Sequence, residues 1–138
     1  MDTWVERLNS CSDSRERRAI VHRMEPFLEG LAEAENDILF PVLGKYLGFA
    51  DWMQEARVHQ CGIRELIQFV HATQDHEVVL EITDELAARL AQYLDGMHRI
   101  LYPRLVQALN RSELMELRAK LGPYWIFQEI SRSSPAAA

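Results

Sequence analysis

Three side chains of metal-binding type fall on apolar faces of segments that read as helices: Glu35, His59 and His98. Glu35 is centred on a stripe of Val21, Met24, Leu28, Leu31, Ile38, Leu39 and Val42. That spacing is one face of a helix. A carboxylate on such a face must be protonated, paired or bound to a cation, because burying it bare is costly. Glu33 points away from the stripe and is expected in solvent. His59 is in the middle of a second stripe, made by Trp52, Ala56, Ile63, Leu66 and Val70. His98 lies between Leu94 and Leu101 on a third, which also holds Leu90 and Leu105. Two imidazoles and a carboxylate suit a transition metal, and a facial set of that kind with open positions suits Fe(II). The rival reading is a buried Glu–His hydrogen-bond pair with no metal.

The levels along the helices bear on this. Glu35 and His59 are nearly equally far from the loop between their helices, so a hairpin sets them side by side. Counted from the turn near Gln74, His98 is about nine residues farther along than His59, roughly 14 Å at helical rise. Tyr93 and Met97 flank His98. Glu55 precedes His59 by one turn and could orient it or join the site. His22 and Glu25, at i, i+3 spacing, form a weaker clamp on another face. His71 is off the core face, His76 reads as a turn or cap residue, and Cys61 as a small packing residue.

The elements that position these groups are helices. A short one is expected at Asp2–Leu8. A long one begins near Ser12-Asp13-Ser14, good N-cap residues, and runs to about Tyr46, with Gly44 and Gly48 bracketing its end. The next runs from Ala50 or Asp51 to Thr73. After the turn HATQDHE, another runs from about His76 to Leu109, with Asn110 as its C-cap. SELMELRAKLG is a short helix with Ser112 as N-cap and Gly122 as stop. PYWIFQEI is a last apolar turn or two, and residues 131–138 are a frayed tail.

Three long helices with short connections predict an all-α, up-down antiparallel helical bundle in one domain, residues 1–130. The fourth wall is short. Either the C-terminal segment closes it or a second copy does, and a homodimer is the expectation.

Composition agrees. The 138 residues are 48% apolar, with few glycines and prolines, enough for one real core. Net charge is −6, without the basic face that nucleic acid requires. Arg15, Arg17 and Arg18 read as a solvated helix start. No apolar run is long enough for a membrane span. The N-terminus lacks the pattern of a signal peptide. Cys11 and Cys61 form no CxxC, so free thiols in a reducing cytoplasm are expected. No Gly-rich phosphate loop, nucleophile–base pair or zinc-finger cysteine set is present.

Leu39-Phe40-Pro41 and Leu101-Tyr102-Pro103, with His59 on the helix between them, resemble the hemerythrin-like (HHE cation-binding) family. The resemblance covers about residues 13–121. It implies a helical bundle around a non-haem, usually di-iron, carboxylate-bridged centre. In the family's signature, a His is followed four or five residues later by Glu or Glu-Glu, and then by Leu-Phe-Pro or Leu-Tyr-Pro. Glu35 stands at the first acidic ligand position and His59 at the central His. Leu31 and Ile63 stand where the family places further histidines. Tyr93 is at the second repeat's His, and Met97 and His98 are at the acidic positions after it. The family's first helix is absent or reduced to residues 2–8.

The resemblance therefore implies iron at Glu35, His59 and His98, with Tyr93, Met97, Leu31, Ile63 and Glu55 around it. The expected function is handling of O2, NO or a related small molecule, with oxidoreductase chemistry within reach. Zinc could occupy the same donors. The loss of polar ligands also enlarges an apolar pocket, which suits a small organic substrate or haem on His59 or His98. A metal-free regulatory bundle, with PYWIFQEI as partner surface, is the reading from another class.

Overall fold

The computed structural model describes residues 2–45 and 47–124, without the side chains of Asp2, Thr3, Leu47 and His98. There is no strand among the described residues. The elements are α1 (Asp2–Ser10), α2 (Ser14–Ala34), a π-helical segment π1 (Glu35–Leu39) and α3 (Phe40–Leu43). A 3-10 turn (Leu47–Phe49) leads to α4 (Ala50–Ala72) and α5 (His76–Gly96). A second π-helical segment π2 (Met97–Leu101), α6 (Tyr102–Ala108) and α7 (Arg111–Leu121) complete the order. The fold is an all-α bundle. The residues from Trp125 on, including the rest of PYWIFQEI and the 131–138 tail, lie outside the described residues.

The helix starts follow from side-chain caps. Asp13 Oδ1 accepts from the Arg15 amide at 3.0 Å, and Asp75 Oδ1 accepts from Glu77 at 2.9 Å. Asn110 departs from expectation. It is the N-cap of α7, not the C-cap of the helix before it. Its Oδ1 accepts from the Glu113 amide at 2.8 Å, and the Glu113 carboxylate accepts from the Asn110 amide at 3.0 Å. This is a full capping box. Ser112 therefore lies inside the helix it was expected to start. Gly122 ends α7 with φ 54, as a helix stop requires.

Neither Pro41 nor Pro103 ends its helix. Each is preceded by a π turn, in which the Phe40 amide donates to the Glu35 carbonyl and the Tyr102 amide to that of Met97. A π turn carries an extra residue, so the apolar face shifts by one position beyond it. That is why Leu39, Phe40 and Leu43 are buried, while Ile38 and Val42 are only half-buried. The unbroken 3.6 period had put Ile38, Leu39 and Val42 inside.

The apolar core is two clusters. One holds Leu8, Val21, Met24, Leu31, Ile63, Leu90 and Leu94 among others. The other holds Ala34, Leu39, Phe40, Ala56, Tyr93, Met97 and Leu101 among others. The break falls between Leu31 and Ala34 on α2, and between Ala56 and Ile63 on α4. Glu35 and His59 stand at that break.

The short wall is covered from within the chain. α1 packs on α5 and α2, and α7 packs on π1. Tyr124 joins the two covers: its ring is 5.3 Å from that of Phe27, and the Trp4 ring is 5.5 Å from the same Phe27 ring.

Arg17 is buried, unlike the solvated helix start expected of it. Its guanidinium donates to the Cys11 carbonyl at 2.6 Å, the Leu80 carbonyl and Thr83 Oγ1 at 3.0 Å, and Asp84 Oδ1 at 2.6 Å. Arg18 donates to the carbonyls of Val70 and Thr73. The two arginines lock the α1–α2 link and the α4–α5 turn together. Cys61 is exposed, so it is not a packing residue.

Candidate functional site

Glu35 is the first residue of π1 and is 2% exposed. Burial pushes its carboxyl up to about 8 from 4.5, with a hydrogen bond from Gln60 pulling the other way. That bond is long, with Gln60 Nε2 donating to Glu35 Oε1 at 3.5 Å. It ties π1 to α4 at the residue next to His59. The second oxygen, Oε2, is buried and has no hydrogen-bond partner among the described residues.

His59 continues the layer. The residue is half-buried, and its Nδ1 is buried without a partner among the described residues. The ring centroid is 5.9 Å from that of Tyr93, at an interplanar angle of 54°. Tyr93 comes from α5, is 6% exposed, and its hydroxyl is also buried without a partner among the described residues. Leaving a polar group in that state costs roughly 1–3 kcal/mol. Each of the three atoms carries that cost, and Gln60 links Glu35 to the turn of α4 that bears His59.

A cleft of about 210 Å³ reaches this layer between α4 and α5. His59 and Tyr93 form its wall together with Trp52 and Ala56, and Glu55, Gln92, Asp95 and Gly96 are at its rim. Glu55 is exposed there rather than buried beside His59. Leu31, Ile63 and Met97 are buried one turn from Glu35, His59 and Tyr93 respectively. They form an apolar collar above and below the polar layer.

Among the described residues, no three His, Cys, Asp or Glu side chains are arranged to hold a metal ion. The His98 side chain lies outside the described residues, so the expected triad has two described members, Glu35 and His59. The α5 side chain beside His59 is Tyr93, which the sequence placed only at the edge of the site. Its signal was available: Tyr93 is three after Leu90 and four before Met97, on the inward face. Gln60 had no such signal, since its position is next to the stripe rather than on it.

The weaker candidates are at the surface. His22 is exposed, with its ring 6.3 Å from that of His71. Glu25 pairs with His71 Nε2 at 2.6 Å. His76 is the first residue of α5 rather than its cap, which is Asp75; its Nδ1 is 2.6 Å from Ser14 Oγ, a contact between two helix starts.

No known protein family, curated protein or solved structure matches the chain.

Proposed function

We propose that this chain is a hemerythrin-like, up-down antiparallel bundle that holds a transition metal, iron first among them, between Glu35 and His59, with His98 as a further ligand. The observation that carries the reading is the set of buried, unpartnered atoms: Glu35 Oε2, His59 Nδ1 and Tyr93 Oη. The donor types fit the ion. A carboxylate and an imidazole suit iron, manganese or zinc better than the all-oxygen ions. Bound there, the metal would supply a Lewis-acidic centre with open positions for O2, NO or a similar small molecule.

The chain's own residues have separate parts. Glu35 must give up its proton to serve as a ligand, and a cation beside it favours that change. Gln60 steadies one carboxylate oxygen and leaves the other free. Leu31, Ile63 and Met97 keep bulk water from the layer, which strengthens every charge interaction within it. The cleft at His59 and Tyr93 admits small molecules. At about 210 Å³ it is below the roughly 300–1,000 Å³ usual for organic ligands, so its size favours a diatomic over haem.

Equilibrium binding of ferrous iron, zinc and manganese tests the proposal. The wild type should take up metal, and Glu35→Gln and His59→Ala should each weaken binding while circular dichroism stays helical. Unchanged binding in both variants would reject the site. A metal-free bundle, with Glu35 and Gln60 as a buried polar pair, would bind none of the three ions.

A further inference from the structure

We infer that Tyr93 is itself a metal ligand, binding through its phenolate oxygen. This rests on the metal reading above and adds a donor to it. Three observations lead there. The Tyr93 hydroxyl is buried and has no hydrogen-bond partner among the described residues, although a buried tyrosine ordinarily finds one. The side chain belongs to the same layer as His59, with ring centroids 5.9 Å apart. Tyr93 packs in the same apolar cluster as Trp52, Ala56 and Met97, none of which offers its hydroxyl a side-chain acceptor.

Glu35, His59 and Tyr93 come from three different elements, π1, α4 and α5. Each contributes a buried oxygen or nitrogen that no described residue satisfies. A cation is an occupant that can satisfy a carboxylate oxygen, an imidazole nitrogen and a phenol oxygen at once. The donor set becomes one nitrogen and two anionic oxygens before His98 is added. Two hard anionic oxygens favour the ferric over the ferrous ion.

The step balances simply. The Tyr93 O–H bond breaks, an oxygen–metal bond forms, and the proton leaves through the cleft to buffer. Ferric iron stays ferric. Binding through Tyr93 therefore releases one proton more per metal than binding without it.

The test loads the full chain and Tyr93→Phe with ferric iron. Iron content, the visible spectrum and resonance Raman scattering are then measured. The wild type should show a phenolate-to-iron charge-transfer band with tyrosinate vibrations. Tyr93→Phe should lose both while still binding iron, and its affinity should fall about 10- to 100-fold or more. Titration calorimetry in buffers of different ionisation enthalpy should find one proton fewer released by the variant. If the wild type binds iron without tyrosinate vibrations, or Tyr93→Phe retains them, Tyr93 is not a ligand and the Glu35–His59 site stands without it. If the wild type binds no iron while zinc or manganese still binds in a Glu35-dependent way, the inference also fails and the metal reading survives. Binding of none of these ions overturns both.

Discussion

The rings of His59 and Tyr93 lie 5.9 Å apart across the α4–α5 contact, and neither His59 Nδ1 nor Tyr93 Oη has a hydrogen-bond partner among the described residues. With the unpartnered Glu35 oxygen they make a polar layer at the break between two apolar clusters. An apolar core would be more stable without it. The layer therefore reads as a site, and its cost is measurable.

The first measure of that cost is pH. The Glu35 carboxyl is held at about 8 in the folded chain, against 4.5 ordinarily. Between those values the folded state keeps a proton that the unfolded chain has lost. The metal-free protein should therefore lose stability as pH rises from about 4.5 to about 8, and level off above. The upper limit of this loss is roughly 5 kcal/mol. Glu35→Gln does not titrate, so its stability relative to wild type should grow through that window. Urea unfolding of both proteins between about pH 5 and pH 9 checks this. A difference that stays constant with pH would contradict it.

Two glycines should respond in opposite directions. Gly96 is helical, and an added Cβ would meet nothing within 4 Å. Gly96→Ala should stabilise by about 0.4–1 kcal/mol. Gly122 has φ 54, a conformation that a Cβ disfavours, so Gly122→Ala should destabilise by about 1 kcal/mol. Thermal melts of the two variants would show the opposite signs.

Arg17 should be the costliest charged residue to truncate outside the polar layer. Four acceptors converge on its guanidinium, from the α1–α2 link and from α5. Arg17→Ala removes the donor to the part-buried Cys11 carbonyl and the link from α2 to Leu80, Thr83 and Asp84 of α5, and should cost about 2–4 kcal/mol. Arg15→Ala, from the exposed side of the same helix start, should change stability by less than about 0.5 kcal/mol. Denaturant unfolding separates the two.

Asn110 carries a smaller term. Removing one half of its capping box with Asn110→Ala should cost about 1 kcal/mol. The loss should appear first as faster hydrogen exchange in the first turn of α7, where the Glu113 amide would lose its acceptor.

Much of the fold could be read from helical periodicity. The stripes from Val21 to Leu31, from Trp52 to Val70 and from Leu90 to Leu105 are buried as their spacing requires. So is Glu35, while Glu33 is exposed. The period fails at π1, which moves Phe40 into the core and leaves Ile38 and Val42 half-buried. Leu-aromatic-Pro marked the two π turns without revealing their geometry. Arg17 was misread because long-range acceptors on α5 decide its burial, and no local pattern encodes them. Tyr93 was underweighted because a buried tyrosine is ordinarily a packing residue. Only the missing partner for its hydroxyl distinguishes it, and that is a property of the folded arrangement.

Metal content tests the central claim most directly. The full chain should be expressed in medium replete with iron and zinc, purified without chelators, and measured by elemental analysis beside Glu35→Gln and His59→Ala. About one metal per wild-type chain, strongly reduced in both folded variants, is the predicted result. Less than about a tenth of an equivalent of any metal in the wild type, or equal content in all three proteins, would contradict it.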